Sequence, residues 1–244
     1  MTVSIIQVHT RAEQGQTRPF LCKGEDDAWY YVKGIGAGRR SQICEFVAGR
    51  LATAFGLPIA PYAVVHVPTG LIQPMFDSQL NELGAGPAFG SRSLSFCQEL
   101  SLSHMGLLSP ELKQDILVFD WWIRNSDRSL TDKGGNPNLL WDGGNESLVV
   151  IDHNVAFELD MDTGAFFDTH VFKDEINVVF PDWAARQAYR DRLSEAFAAF
   201  DQACEDVPEE WWWHAEDVPT DFDRTATRSM LERFDSYDFW DFTP

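Results

Sequence analysis

Apolar and polar positions fall into two regimes along the chain. In the first seventy-odd residues they predict a small sheet with one helix. Ser4–Thr10 has strand character, and Ala28–Lys33 (AWYYVK) is a stronger strand rich in aromatic and β-branched residues. A turn containing Gly34, Gly36 and Gly38 leads into a helix from about Ser41 to Phe55. On that helix Ile43, Phe46, Val47, Leu51, Ala54 and Phe55 share one face at helical spacing. Gly56 stands where a C-cap glycine belongs, and Pro58 stops the helix. Pro61–Val67 and Gly70–Phe76 read as two more strands around the turn Pro68-Thr69-Gly70.

After Asp77 the pattern turns helical. Gly84–Gly90 reads as a flexible loop. Ser109-Pro110-Glu111 opens a helix, with Ser as N-cap and Pro in the first turn, that runs through Leu112, Ile116, Phe119 and Ile123 towards Asn125. Another helix is predicted from Trp183 to Cys204, with Tyr189, Leu193, Phe197 and Phe200 as its apolar stripe, and a last one over Arg224–Phe234. Strands first and helices second predict an α+β chain of two lobes, a sheet-rich N-lobe at 1–76 and a mainly helical C-lobe at 77–244.

The stretch from Asn125 to Phe157 changes the picture from architecture to chemistry. It reads NSDRSLTDKGGNPNLLWDGGNESLVVIDHNVAF. Leu139–Trp141 and Leu148–Ile151 predict two short strands around the Gly143-Gly144 turn, hence a hairpin. Asn138 enters that hairpin and Asp152 leaves it, so both side chains come to the same end. Asp127, at the top of its helix, reaches that end as well. Two carboxylates and an amide oxygen suit a hard cation such as Mg²⁺. Any one of these motifs alone is more often structural, a cap or a turn, than catalytic; the ordered set carries the chemistry. Asp-plus-Asn metal ligation beside a separate Asp is the apparatus of kinase-type phosphoryl transfer.

These residues, Asn125-Ser126-Asp127-Arg128, Asn138-Leu139-Leu140 and Val150-Ile151-Asp152-His153-Asn154, resemble the HipA-like kinase family, especially its short single-unit members. That family is similar in turn to phosphoinositide 3/4-kinases. The resemblance implies a two-lobed protein-kinase-like fold with ATP held between the lobes, Asp127 as the catalytic base, and Asn138 and Asp152 as ligands of Mg²⁺. It also implies a strand lysine over the phosphates and a helix glutamate that holds it, which Lys33 and Glu45 would supply. The run Glu45–Leu51 followed by Phe55-Gly56-Leu57-Pro58 is similar to the family without gaps. Leu71-Ile72-Gln73-Pro74-Met75 is the implied hinge, with Gln73 and Met75 at the adenine edge. The likeness covers about Phe20–Phe157. It implies a serine/threonine protein kinase acting on a hydroxyl, with small-molecule acceptors left open, and a partner of antitoxin type.

The chain departs from the family pattern at four places. Arg128-Ser129 stands for Arg-His, the loop to Asn138 is long and leaves Asn136 as an alternative ligand, and His153-Asn154 follows the metal aspartate in place of Phe-Gly. The phosphate-covering position, Arg11–Arg18, has the single glycine Gly15. This last departure favours a second reading, a pseudokinase that binds nucleotide or a partner without turnover. A metal-dependent hydrolase is a third reading, and it leaves Lys33 and Glu45 unexplained.

Composition limits the partners. Of 244 residues, 19 are Lys or Arg and 38 Asp or Glu, a formal net charge of -19. Such a chain is repelled by a phosphate backbone, so direct nucleic-acid binding is not expected. No stretch approaches the ~18 consecutive apolar residues of a membrane helix, and Met1–Thr10 lacks the pattern of a secretory signal; a cytoplasmic protein is the expectation. Cys22, Cys44, Cys97 and Cys204 are scattered outside any zinc or redox spacing and read as free thiols. Trp121-Trp122 read as core, and Trp211-Trp212-Trp213 as packing of the last helices on the C-lobe. Asp235–Phe242 reads as a partner-binding segment or a disordered end. His170, in a segment suited to activation, reads as a candidate substrate contact.

Overall fold

A computed structural model describes residues 2–12, 17–72, 78–131 and 134–241. The chain divides into two compact units. The first comprises Met1–Phe46, Ala60–Ser95 and Val207–Phe222, and the second Val47–Ile59, Phe96–Asp206 and Asp223–Pro244.

The first unit is built on a closed barrel. Strands β1 (Val3–Arg11), β2 (Phe20–Gly24), β3 (Trp29–Lys33), β4 (Tyr62–Val67) and β5 (Gly86–Arg92) follow the order β1-β2-β3-β5-β4. All pairs are antiparallel except β1 with β4, whose parallel contact of Val3 with Val65 and Ser4 with His66 closes the barrel. Closure leaves no open sheet edge. Phe20, Cys22, Tyr30, Val32, Val65 and Val67 alternate inward and form its core. Burial pushes the Cys22 thiol up to about 12, so it packs as a small apolar group.

Helix α1 (Arg39–Phe55) ends as its sequence predicts. Gly56 has φ +96°, and the Leu57 N–H bonds the Ala52 carbonyl at 2.9 Å while that of Gly56 bonds Thr53 at 3.2 Å, a Schellman closure.

Three sequence expectations are corrected in this unit. Gly84–Gly90 is largely strand β5 rather than loop, paired with β3 on one side and β4 on the other. Its glycines hide the strand signal, and Gly90 is required by packing: a Cβ there would sit 2.7 Å from the Val65 side chain. Gly70–Phe76 does not begin as a strand, since Thr69–Leu71 is a 3₁₀ turn; residues 73–77 lie outside those described. A one-turn helix α2 (Leu80–Leu83) follows and buries Leu83 in the barrel core. Trp211 also belongs to this unit, not to the helical one: it is fully buried, donates to the Pro87 carbonyl at 3.0 Å and meets Phe46 edge-on.

The second unit holds β6 (Cys97–Glu99), α3 (Pro110–Ile123), β7 (Ser129–Thr131), β8 (Gly134–Asn136), β9 (Leu139–Asp142) and β10 (Ser147–Val150). The predicted hairpin is present, Leu139 facing Val150 and Asp142 facing Ser147, and β6 adds a third strand beside β9. Ser109 caps α3 by accepting the Leu112 N–H at 3.2 Å, and every residue from Ile116 to Ile123 is buried. Helices α4 (Thr163–Thr169), α5 (Ile176–Val179), α6 (Trp183–Phe197), α7 (Phe200–Glu205), α8 (Arg224–Glu232) and α9 (Tyr237–Trp240) complete it. The helix expected over Trp183–Cys204 is thus two, broken at Ala198-Ala199. The C-terminal segment is packed as far as it is described, to Asp241, with Phe239 and Trp240 buried and the Trp121 indole donating to the Phe239 carbonyl at 3.1 Å. The chain is sheet-rich in its N-terminal part and helical in its C-terminal part.

Candidate active site

In the first unit, β3 ends on Lys33 and α1 carries Glu45. Both are buried, and Lys33 Nζ lies 2.5 Å from Glu45 Oε1. Gln42, fully buried one turn earlier, donates its amide to the Lys33 carbonyl at 2.7 Å and accepts from Arg39 at 2.9 Å. The lysine is therefore fixed at both its head and its backbone. Gln42 is a residue the sequence reading missed, because its partner is a carbonyl that no side-chain pattern reveals. Gly34 lets the chain turn away at once: a Cβ there would lie 2.0 Å from the Leu83 carbonyl oxygen.

In the second unit two side chains converge on Asp127. Asn136 Nδ2 donates to Asp127 Oδ2 at 2.8 Å, and Asn138 Nδ2 donates to the same oxygen at 3.2 Å. Both asparagines flagged by the sequence therefore reach this carboxylate. Asn138 enters β9 at φ +48° and Asp152 follows β10 at φ +57°, a region where Asn and Asp are the most tolerated side chains after Gly. The two ends are tied by the Ile151 N–H, which bonds the Asn138 carbonyl at 3.1 Å. Asp152 Oδ1 accepts the Asn154 N–H at 3.3 Å.

Partial burial raises the Asp127 carboxyl above its ordinary value. The Asn138 hydrogen bond opposes this, and the nearby negative charge of Asp152 reinforces it. Two mutually repelling carboxylates and an amide that spends only its nitrogen on Asp127 form a donor set that fits a small hard cation. Among the described residues no group of three or more His, Cys, Asp or Glu is assembled for a metal. Mg²⁺ does not require one, since it is commonly held by one or two carboxylates, with waters and substrate phosphates completing the shell.

Other sequence candidates fall elsewhere. Gln73 and Met75, the implied hinge, lie outside the described residues, as does Gly15. Arg11, from the phosphate-covering position, is ion-paired with Glu82 and lies over the Phe20 ring. His170 is no substrate contact: it is buried, with Nε2 at 3.2 Å from Asp120 Oδ2.

The model of HipA-like kinases matches residues 5–243. The chain belongs to the HipA-like kinase family. Among solved structures, the crystal structure of a Helicobacter pylori proinflammatory kinase, CtkA, is similar with a TM-score of 0.50 at 11% identity, covering 98% of this chain and 96% of that one. At that identity the likeness speaks to a kinase-like fold. No curated protein matches the chain. As a HipA-like kinase the chain is a phosphotransferase of protein-kinase type, and no helix among its described residues is long and apolar enough to cross a membrane.

Proposed function

We propose that the chain transfers the terminal phosphate of ATP, with Mg²⁺, to the hydroxyl of a protein serine or threonine. The observation that carries this reading is the convergence of Asn136 and Asn138 on Asp127 at the end of the hairpin from which Asp152 emerges. Lys33, held by Glu45 and Gln42, contacts the nucleotide phosphates. Asp127 receives or orients the acceptor's proton, and its carboxyl, raised by partial burial, is a stronger base than a free aspartate. Asn138, through its amide oxygen, and Asp152 hold Mg²⁺, which when bound neutralises charge on the phosphate oxygens. Most of the rate gain comes from positioning and electrostatics.

The implied hinge at Gln73 and Met75 has a competitor, the Ser93–Ser95 backbone that follows β5, the strand next to β3 in the barrel. A cytoplasmic setting and a protein partner of antitoxin type belong to the same reading. A pseudokinase is the second reading, favoured by the ion pair that already engages Arg11 with Glu82.

Thermal melting with ATP, with and without Mg²⁺, tests the proposal. A ligand at 100 times its dissociation constant stabilises by about 2.7 kcal/mol. A Mg²⁺-dependent upward shift, weakened by Asp152→Asn, is expected, and incorporation of labelled phosphate then separates kinase from pseudokinase. An unchanged melt at saturating Mg²⁺·ATP would remove both readings.

A further inference from the structure

The most heavily bonded side chain beside this site is one that phosphoryl transfer does not itself use. Arg128 follows Asp127 in the chain and is 1% exposed. Its Nη1 is shared among three carbonyl oxygens, of Asn138 at 2.5 Å, Pro137 at 3.2 Å and Ile151 at 3.2 Å. These belong to Asn138 itself, to the residue before it, and to the residue before Asp152.

The guanidinium is anchored from behind. Its Nε donates to Asp120 Oδ2 at 2.6 Å, while Asp120 Oδ1 accepts the Asn125 amide at 3.0 Å. His170 Nδ1 accepts the Phe172 N–H at 3.1 Å, which places the ring proton on Nε2, facing Asp120. Main-chain ties run alongside: the Val171 N–H bonds the Arg128 carbonyl at 3.0 Å, and Ser129 bridges to His170.

Asn138 and Asp152 both occupy left-handed backbone, which Asn and Asp adopt more readily than other side chains but less readily than glycine. Something must hold them there, and a planar fork reaching carbonyls on both sides of the hairpin is suited to it. Lysine would keep the charge opposite Asp120 but lacks the fork.

We infer that Arg128 is a positioning residue for phosphoryl transfer: one guanidinium, anchored by Asp120 and His170, fixes the backbone that aims Asn138 and Asp152 at the metal. The metal-directed part rests on the function proposed above; the clamp on the backbone does not.

Two measurements on the full chain test it. In ligand-free protein, Arg128→Lys is expected to speed amide hydrogen exchange at Ile151, whose N–H bonds the Asn138 carbonyl, by about tenfold or more while α1 amides keep their protection. By titration calorimetry, the gain in ATP affinity conferred by Mg²⁺ is expected to fall about 10- to 100-fold, as for other residues that orient metal ligands, with metal-free ATP affinity within about twofold of wild type. Unchanged Ile151 exchange together with an unchanged Mg²⁺ gain overturns the inference, as does an equal loss of ATP affinity with and without metal. Should Arg128→Lys fail to fold, His170→Gln, which loosens only the anchor, is read on the same two scales; smaller changes in the same directions support the clamp and none overturns it. Wild type that binds no Mg²⁺·ATP would remove the proposed function, and exchange at Ile151 would then decide the clamp alone.

Discussion

Asp127 and Lys33 show how much a single side chain's surroundings determine. Because burial and Asp152 raise the Asp127 carboxyl above its unfolded value, the folded state binds its proton more tightly than the unfolded one. Its contribution to stability is therefore present in acid and lost as pH rises through the folded pKa. Asp127→Asn should melt higher than wild type at neutral pH, with the gap closing in acid, while phosphate transfer is lost. A lower melt at neutral pH would mean that the carboxylate holds the fold. Lys33→Ala leaves Glu45 buried without that cation, an arrangement that typically destabilises by about 3–5 kcal/mol; urea unfolding measures it, and a change below about 1 kcal/mol would show solvent reaching Glu45. Lys33 and Glu45 were legible because strand and helix patterns flank them. The pull of Asn136 on Asp127 was harder to see, since it depends on how β7 and β8 fold the intervening loop.

The elements were legible in proportion to how far local pattern alone determined them. The hairpin of β9 and β10, α3 with its Ser109 cap, and α1 with its Gly56 closure lie within a residue or two of their predicted bounds. Strand β5 was not legible, because glycine is there for a neighbour's sake: Gly90 makes room for Val65, and that contact exists only once β4 lies alongside. The break between α6 and α7 falls at two alanines, which favour helix, so tertiary packing decided it. Gly34→Ala tests such close approach directly. Its Cβ would press on the Leu83 backbone rather than on a flexible side chain, so a loss of about 1–3 kcal/mol or more is expected. A neutral result by denaturant melt would show that α2 can move aside.

At the scale of the whole molecule the net charge of -19 sets the conditions under which it is stable. Arg50 with Asp206, Arg190 with Asp235 and Arg228 with Asp201 are exposed ion pairs that contribute little each, while acidic self-repulsion acts over the entire surface. Raising salt from ~20 mM to ~0.5 M shortens the screening length severalfold, so the urea midpoint should rise. A falling midpoint would mean that the ion pairs outweigh the repulsion. Trp211, in turn, gives the barrel unit a timetable. Its strands and the Phe46 face of α1 are made early, but the indole that meets Phe46 and Pro87 arrives only after residues 96–206 have been translated. At about 5–20 residues per second that is a wait of roughly 5–20 s. During that interval the nascent barrel exposes the surface that Trp211 will cover, and a chain that stalls before residue 207 has all five barrel strands but lacks the indole that packs on Phe46.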